Sequence, residues 1–298
     1  MPFLVTEDET ELYYRDWGTG TPVVLIHGWP LNCDMWEKQA SFLVESGYRV
    51  ITYDRRGFGR SDQPWDGYDY DTFASDLNDV MEELDLSNAA LIGFSMGGGE
   101  VIRYLSTYGS ARVSKAVLLA AVTPYLMKTA NNPTGVDAEI FDKIGQQIRE
   151  DRPAFLKDFG PKFFGRTVLN HSVSEAVLEW TQAMALTSSL RPTLAAAVAW
   201  SSTDFRAEMG QITTPILIIH GTGDATVPID ASGRESLKHL PNATLVEYED
   251  APHGLFLTAT ERLNNDLIQF LDGAAVARSP VLTNETDFAS DIPEPIIP

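Results

Sequence analysis

A serine lies between two glycines in the segment GFSMG, residues 93–97, which directly follows an apolar run. The segment fits the G-x-S-x-G pattern, in which a strand, a tight turn and a helix expose a nucleophilic serine hydroxyl. Small residues at Gly93 and Gly97 allow that turn, so Ser95 is the candidate nucleophile. Because serine and glycine are also common in ordinary turns, the pentapeptide by itself leaves a plain turn as the alternative.

A serine hydroxyl needs a histidine to accept its proton and a carboxylate to orient that histidine. In this strand-turn-helix pattern the order along the chain is serine, acid, histidine. Asp224 follows the apolar run at residues 215–221, and His253 follows the run at 244–249. We therefore expect Ser95, Asp224 and His253 to form a catalytic triad. Asp250, just before His253, is the alternative acid.

The other histidines have structural interpretations. His27 and His220 end apolar runs, where we expect them to be buried and hydrogen-bonded. His239 lies near the end of a predicted helix, where a cation meets the helix dipole favourably. His171 lies in the middle region of the chain, which lacks strand-like runs.

Acyl transfer also needs hydrogen-bond donors for the oxyanion that develops in the transition state. The backbone N–H of Met96, next to the serine, is one expected donor. The N–H of Trp29, in the segment HGWP after an apolar run, is the expected second, although a strand-ending turn also explains that segment. Most aromatic residues should pack the core, and a subset should line the site. The candidate substrate-binding residues are Trp29, Pro30, Phe94, Tyr125, Trp200 and Val227.

Short runs rich in Val, Ile and Leu alternate with amphipathic segments of helix length, which predicts an α/β fold with a mostly parallel central sheet flanked by helices. The predicted buried strands are residues 22–27, 48–54, 88–94, 115–121, 215–221 and 244–249. Helices are predicted over 71–85, 98–108 and 257–271, the first with Asp71 as its N-cap. Residues 3–17 read as an antiparallel hairpin, because two strand-like runs flank an acidic turn.

The strand pattern stops in the middle of the chain, where helix-like segments such as 174–186 and 193–200 follow one another. A helical insertion between two strands of one sheet explains this. We therefore predict an α/β core formed by residues 1–122 and 212–272, a helical cap over 123–211, and a Pro-rich, acidic C-terminal extension over 273–298.

Composition narrows the classes of partner. The formal net charge of −20 among 298 residues argues against nucleic acid and anionic membranes, which would repel the protein. No apolar run approaches the roughly 18 residues of a membrane span, and no leader of the signal-peptide type is present, which predicts a cytoplasmic protein. The single cysteine, Cys33, cannot form an internal disulfide. A homo-oligomer is left open.

Two further patterns are incomplete. Gly57 and Gly59 follow a strand, but the third glycine of a dinucleotide-binding loop is absent, so a nicotinamide cofactor is not expected. Asp66, Asp69 and Asp71 lack the spacing of a calcium loop, and a solvated turn with a helix N-cap explains them. We expect neither a metal nor a cofactor.

With these residues identified, the chain resembles the α/β-hydrolase superfamily, and within it the cofactor-free haloperoxidase, perhydrolase and aryl esterase group. The matching stretches are ELYYRDWGTG, HGWPLNCDMWEKQ, YDRRGFGRSDQPWDGYDYDTFASDL, GFSMGGGEVIRY, HGTGDATVP and APHGL, which cover most of residues 10–110 and 212–271. The cap matches the group only loosely, and the C-terminal extension goes beyond its usual length.

The resemblance implies that Ser95, Asp224 and His253 form the triad and that the N–H groups of Trp29 and Met96 form the oxyanion hole. It implies a serine hydrolase of small carboxylic esters without a cofactor, with a perhydrolase activity in which hydrogen peroxide replaces water and the peracid oxidises halides. Relatives that act on alkyl halides or epoxides have an aspartate at the nucleophile position, whereas this chain has serine. The alternatives are a hydrolase of small lactams or amides and a ligand receptor with an idle triad.

Overall fold

The computed structural model describes residues 2–274 and residue 276. Nearly all of the predicted C-terminal extension therefore lies outside the described residues. Among the described residues, none of the helices is both long enough and apolar enough to span a membrane.

The centre of the fold is a sheet whose eight strands follow the order β1-β2-β4-β3-β5-β6-β7-β8. Strands β1 and β2 form the predicted antiparallel hairpin, β2 pairs antiparallel with β4, and all later pairs are parallel. The predicted α/β class is confirmed. The strands are β1 (Phe3–Val5), β2 (Glu11–Trp17), β3 (Pro22–Ile26), β4 (Arg49–Tyr53), β5 (Ala89–Phe94), β6 (Val113–Leu119), β7 (Ile216–Gly221) and β8 (Ala243–Tyr248).

Both faces of the central strands, such as β3, β5 and β7, are buried, which explains why these strands appear in the sequence as continuous apolar runs. The strand β8, predicted as buried, is only partly buried because it lies at the edge of the sheet. Along β3, Val24 and Ile26 join the hydrophobic cluster on one face, and Val23 and Leu25 join the cluster on the other. This alternation follows from the two-residue period of a strand. The parallel strands then bring their carboxyl ends, and the loops that follow them, to one edge.

The helices that flank the sheet lie close to the predicted segments. They are α1 (Glu37–Glu45), α2 (Tyr70–Glu83), α3 (Met96–Tyr108), α8 (Gly233–His239), α9 (Leu255–Thr258) and α10 (Thr260–Leu271). The segment predicted as one helix over 257–271 is thus two helices, because the backbone of Ala259 (φ −129°, ψ 34°) leaves the helical region.

The predicted N-cap of α2 is wrong. Asp69, rather than Asp71, has extended backbone angles and accepts a hydrogen bond from the N–H of Thr72 at 2.9 Å. A cap must lie one residue before the first helical residue, which here is Tyr70. The carboxylate of Asp71, in the first turn, forms an ion pair with Arg103 instead.

Between β6 and β7 the chain forms four helices, as the sequence pattern indicates, preceded by a loop with two isolated β-bridges between residues 127 and 136. The helices are α4 (Ala138–Phe163), α5 (Glu175–Leu186), α6 (Leu190–Ser202) and α7 (Arg206–Met209). The longest, α4, bends sharply at Asp151, whose φ of −152° and ψ of 84° are not helical. The division of the chain into core and cap at the predicted boundaries stays a prediction.

Close backbone packing surrounds the turn between β5 and α3. A Cβ atom on Gly93 would lie 2.3 Å from the carbonyl oxygen of Gly97, and one on Gly97 would lie 2.6 Å from the carbonyl oxygen of Ile26. These neighbours are backbone atoms, which cannot rotate away. The glycines of the GFSMG segment are therefore required by contact as well as by the turn.

We predict that Gly93→Ala lowers the free energy of unfolding by about 1–3 kcal/mol or more, because the added methyl group overpacks fixed backbone. Gly210→Ala is the matched control, since no heavy atom lies within 4 Å of a Cβ at that position. Urea denaturation of both variants measures the difference. Equal stability of the two variants would contradict the packing argument.

Candidate active site

Ser95 occupies the turn between β5 and α3 in a left-handed conformation, with φ 54° and ψ −118°. A non-glycine residue in such a conformation costs on the order of 1–3 kcal/mol and persists only where its surroundings hold it. Here the Ser95 N–H donates to the carbonyl of Leu119 at 2.8 Å, and its own carbonyl accepts from Gly98 and Val122 at 3.0 and 3.2 Å. Neighbouring β6 thus fixes the turn that carries the serine side chain.

The structure brings the three predicted triad residues together. The Ser95 Oγ lies 2.9 Å from His253 Nε2, and His253 Nδ1 lies 2.6 Å from Asp224 Oδ2. Since an ionised carboxylate only accepts, Nδ1 carries a proton and Nε2 is left to accept the serine proton. All three residues are buried. The arrangement can deprotonate the serine as it attacks an electrophile.

The position of Asp250, the alternative acid, is different. Its side chain is exposed, and its backbone N–H donates to Thr222 Oγ1 at 2.8 Å. Asp224, the predicted acid, therefore lies beside His253, whereas its rival Asp250 does not.

Asp224 is held from several sides. Its Oδ1 accepts the backbone N–H groups of Thr226 and Val227 at 2.9 and 2.8 Å. Burial raises the pKa of the carboxyl group, but the charge of His253 and the hydrogen bonds from His220 and His253 outweigh burial and hold that pKa below its ordinary range. The acid therefore stays ionised, as a residue that stabilises an imidazolium must.

His220 is buried and hydrogen-bonded, as predicted, but its position next to the triad acid was missed. Its Nε2 lies 2.9 Å from the carbonyl oxygen of Val227 and 3.3 Å from Asp224 Oδ2. The only signal in the sequence is the spacing His220-Gly-x-x-Asp224 across a strand end, where a tight turn returns the acid towards the last residues of the strand.

Aromatic rings enclose the imidazole of His253. The rings of Phe94 and Phe163 each lie 4.9 Å from it, centroid to centroid, the first at the end of β5 and the second at the end of α4. Phe163 therefore brings α4 into contact with His253. Apolar walls of this kind exclude water and strengthen the electrostatic interactions inside.

The two predicted oxyanion donors flank the serine. Met96 begins α3, where the first backbone N–H groups have no acceptor within the helix. The segment before Trp29 runs against the nucleophile, since a Cβ on Gly28 would lie 3.0 Å from the Ser95 Cβ. Both N–H groups therefore belong to segments that border Ser95.

The indole of Trp29 contacts the helices between β6 and β7. Its Nε1–H donates to the carbonyl of Thr193 in α6 at 3.0 Å, and its ring lies 5.6 to 6.3 Å from the rings of Phe155, Phe159 and Trp200. Trp29 and Trp200 are thus neighbours. The peptide bond between Trp29 and Pro30 is cis.

The remaining substrate-binding candidates lie in different surroundings. Pro30 borders a narrow cleft together with Phe159 and Phe163 of α4. Val227 is buried beside Asp224, to which its backbone N–H donates a hydrogen bond. The guanidinium carbon of Arg206 lies 5.2 Å from the centre of the Tyr125 ring. The role of Tyr125 in substrate binding stays a prediction.

A buried network of charges below the turn was also missed. Arg55 and Glu100 are fully buried, and Arg55 Nε lies 2.7 Å from Glu100 Oε2. The hydroxyl of Tyr53 donates to the other carboxylate oxygen of Glu100. Since Glu100 is on α3 and Arg55 follows β4, the pair ties the helix after Ser95 to the sheet.

His27, two residues before Trp29, belongs to the same network. Burial, and then the charge of Arg55, lowers the pKa of His27 well below its ordinary range. The neutral ring accepts the backbone N–H of Arg55 at 2.9 Å, and Arg55 Nη2 donates to the His27 carbonyl at 2.9 Å. The network therefore links both segments that border Ser95.

Within the described ranges, no group of three or more His, Cys, Asp or Glu side chains is arranged to hold a metal ion. The three acidic residues noted in the sequence have separate partners. Asp66 pairs with Arg191, Asp69 caps α2, and Asp71 pairs with Arg103.

A sequence profile of the alpha/beta hydrolase fold matches residues 21–260. The chain belongs to the α/β hydrolase family. This hydrolase is 42% identical over 274 residues to a non-heme chloroperoxidase of Kitasatospora aureofaciens, with 91% of this chain and 100% of that protein covered. It is 40% identical over 276 residues to a bifunctional esterase/perhydrolase of Acinetobacter calcoaceticus, with 91% and 99% covered.

The hydrolase also resembles a solved structure, a bromoperoxidase from Bacillus anthracis. The TM-score is 0.87 at 46% sequence identity, and the match covers 91% of this chain and 100% of that one. The resemblance to the haloperoxidase and perhydrolase group, first indicated by the motifs, is confirmed.

We predict that Glu100→Ala lowers the free energy of unfolding by about 3–5 kcal/mol, because it leaves the buried Arg55 charge without its partner. Asp16→Ala is the control, since Asp16 pairs with Arg49 where both side chains are more than a quarter exposed. An exposed pair contributes about 0–1 kcal/mol. Chemical denaturation of both variants compares the two pairs, and similar losses would show that the buried pair has no special role.

Proposed function

We propose that this α/β hydrolase is a serine esterase for small carboxylic esters and that Ser95, His253 and Asp224 are its catalytic residues. The observation that carries the proposal is the continuous chain of hydrogen bonds from the Ser95 hydroxyl through His253 to Asp224, at 2.9 and 2.6 Å. The similarity to a protein named as an esterase/perhydrolase supports the ester as the substrate class.

In this mechanism Ser95 Oγ attacks the ester carbonyl while His253 Nε2 takes its proton. The backbone N–H groups of Trp29 and Met96 donate to the oxyanion of the tetrahedral intermediate. His253 then returns the proton to the leaving alcohol, and an acyl-enzyme remains on Ser95. Asp224 keeps its charge throughout and stabilises the imidazolium that forms on His253.

The acyl-enzyme is released by a second nucleophile. Water, deprotonated by His253, gives the carboxylic acid and regenerates Ser95. Hydrogen peroxide in the same position gives a peracid. One peroxide oxygen loses its proton to His253 and bonds to the acyl carbon, while the other oxygen keeps its proton. The peracid can then oxidise halide ions in solution. The relatives named as non-heme chloroperoxidase and esterase/perhydrolase support this second reaction.

The most direct test of the proposed activity uses an activated phenyl ester. We predict that Ser95→Ala abolishes its hydrolysis, because the variant lacks the hydroxyl oxygen that attacks the ester carbonyl. Ser46→Ala, on an exposed serine at the end of α1, is the control and keeps the wild-type rate. If Ser95→Ala and wild type hydrolysed the ester at equal rates, the proposed function would be wrong.

The rate should also fall as the pH is lowered. Protonation of His253 removes the acceptor for the serine proton, and a protonated imidazole cannot act as the base. The pKa of Asp224 is held below its ordinary range, so this carboxylate contributes no second proton in the mildly acidic range. We predict that log(kcat/KM) falls with a slope of about one per pH unit. A slope near two would mean that Asp224 titrates with the base.

The choice between water and peroxide should depend on Pro30. A proline restricts the backbone of the residue before it, so Pro30 fixes the direction of the Trp29 carbonyl. If that carbonyl accepts a hydrogen bond from peroxide, Pro30→Leu should lower the ratio of peracid formation to ester hydrolysis. Both rates are measured on one short-chain ester. An unchanged or increased ratio would leave Pro30 as a turn residue only.

A further inference from the structure

His220 is a buried, polar residue that the proposed mechanism does not use. It lies near the end of β7, and its side chain is fully buried. Its Nε2 is 2.9 Å from the Val227 carbonyl oxygen and 3.3 Å from Asp224 Oδ2. The same Asp224 oxygen accepts the proton of His253 Nδ1. Two histidines therefore face one carboxylate oxygen.

The contacts of the ring determine which nitrogen carries its proton. A carbonyl oxygen only accepts hydrogen bonds, so Nε2 of His220 must be the donor to Val227. In the part of the chain that the structure describes, Nδ1 has no hydrogen-bond partner. Gly233 packs against that side of the ring, since a Cβ there would lie 2.9 Å from Nδ1. The ring is therefore confined, with its N–H directed towards Val227 and Asp224.

The peptide groups of Val227 extend this contact to the other carboxylate oxygen. The Val227 carbonyl accepts from His220, while the Val227 N–H donates to Asp224 Oδ1 at 2.8 Å. His220 thus reaches Asp224 by two routes, one directly to Oδ2 and one through Val227 to Oδ1. The direct contact is the longer one, so the hydrogen bond to Val227 is the stronger restraint.

We propose that His220 is a positioning residue of the triad, whose Nε2–H holds the Val227 loop and shares Asp224 Oδ2 with His253. This inference rests on the proposed esterase mechanism. By donating towards the carboxylate, His220 limits the negative charge that Asp224 presents to His253, and it keeps the acid in the orientation that the base requires.

Loss of the His220 donor should shift the pH dependence of kcat/KM. Among the described residues, the titratable groups that contact the Asp224 carboxylate are His220 and His253, and the other donors are the backbone N–H groups of Thr226 and Val227. When the His220 donor is lost, Asp224 presents more negative charge to His253. The imidazolium is then more stable, and the acid limb of kcat/KM moves to higher pH.

Two substitutions separate this role from simple packing. In His220→Gln the amide nitrogen can take the place of Nε2, whereas in His220→Asn the side chain is too short to do so. With a nitrophenyl ester as the probe, we expect His220→Asn to lower kcat/KM about tenfold, the worth of one hydrogen bond. Its acid limb should move up by several tenths of a pH unit, and His220→Gln should stay close to wild type.

His239→Asn is the matched control, because His239 is partly exposed and lies near Glu235 on α8. Its pH profile should equal that of wild type. If His220→Asn and His220→Gln both kept the wild-type acid limb, or moved it equally, His220 would be a packing residue and the proposal would be wrong.

A measurement on the wild-type protein needs neither a folded variant nor turnover. NMR of the ¹⁵N-labelled histidine side chains reports the tautomer of each ring, and we expect the proton of His220 on Nε2. A proton on Nδ1 alone would overturn the proposal. Absence of esterase activity in the wild type would contradict the proposed function instead, so the two failures are distinguishable.

Discussion

The left-handed backbone of Ser95 is the constraint on which the rest of the site depends. With φ at 54°, the chain turns from β5 directly into α3, and the hydroxyl leaves the sheet at its carboxyl edge. Such a conformation is stable only because β6 holds it on one side and the close glycine contacts hold it on the other. The strain at one residue is offset by the packing of the whole sheet.

The parallel sheet positions the other two residues of the proposed triad by the same geometry. Asp224 and His253 follow β7 and β8, so both loops emerge at the edge where β5 ends. The hydrogen bonds of His253 to Asp224 and Ser95, at 2.6 and 2.9 Å, require that both loops be held in place. Backbone N–H groups hold Asp224, and aromatic rings from β5 and α4 hold the imidazole of His253.

Much of this arrangement can be predicted from the sequence because it depends on local patterns. The apolar runs locate the strands to within one or two residues, and the order of Ser95, Asp224 and His253 follows from the topology. The buried ion pair of Arg55 and Glu100 cannot be predicted from local patterns, because the two residues are far apart in the sequence and meet only in the folded core. The prediction of the N-cap of α2 was wrong for a simpler reason. Asp69 and Asp71 both lie near the start of that helix, and only the backbone angles show which of them is the N-cap.

In the proposed mechanism Ser95 carries the acyl group during turnover. The sharpest test is to mix the protein with an excess of an activated acetyl ester, stop the reaction with acid within milliseconds, and determine the intact mass and the modified peptide. We predict one acetyl group per chain, on the peptide that contains Ser95, formed before steady-state turnover. A protein that hydrolyses the ester without any acetylated intermediate, or with the acetyl group on another residue, would contradict the account.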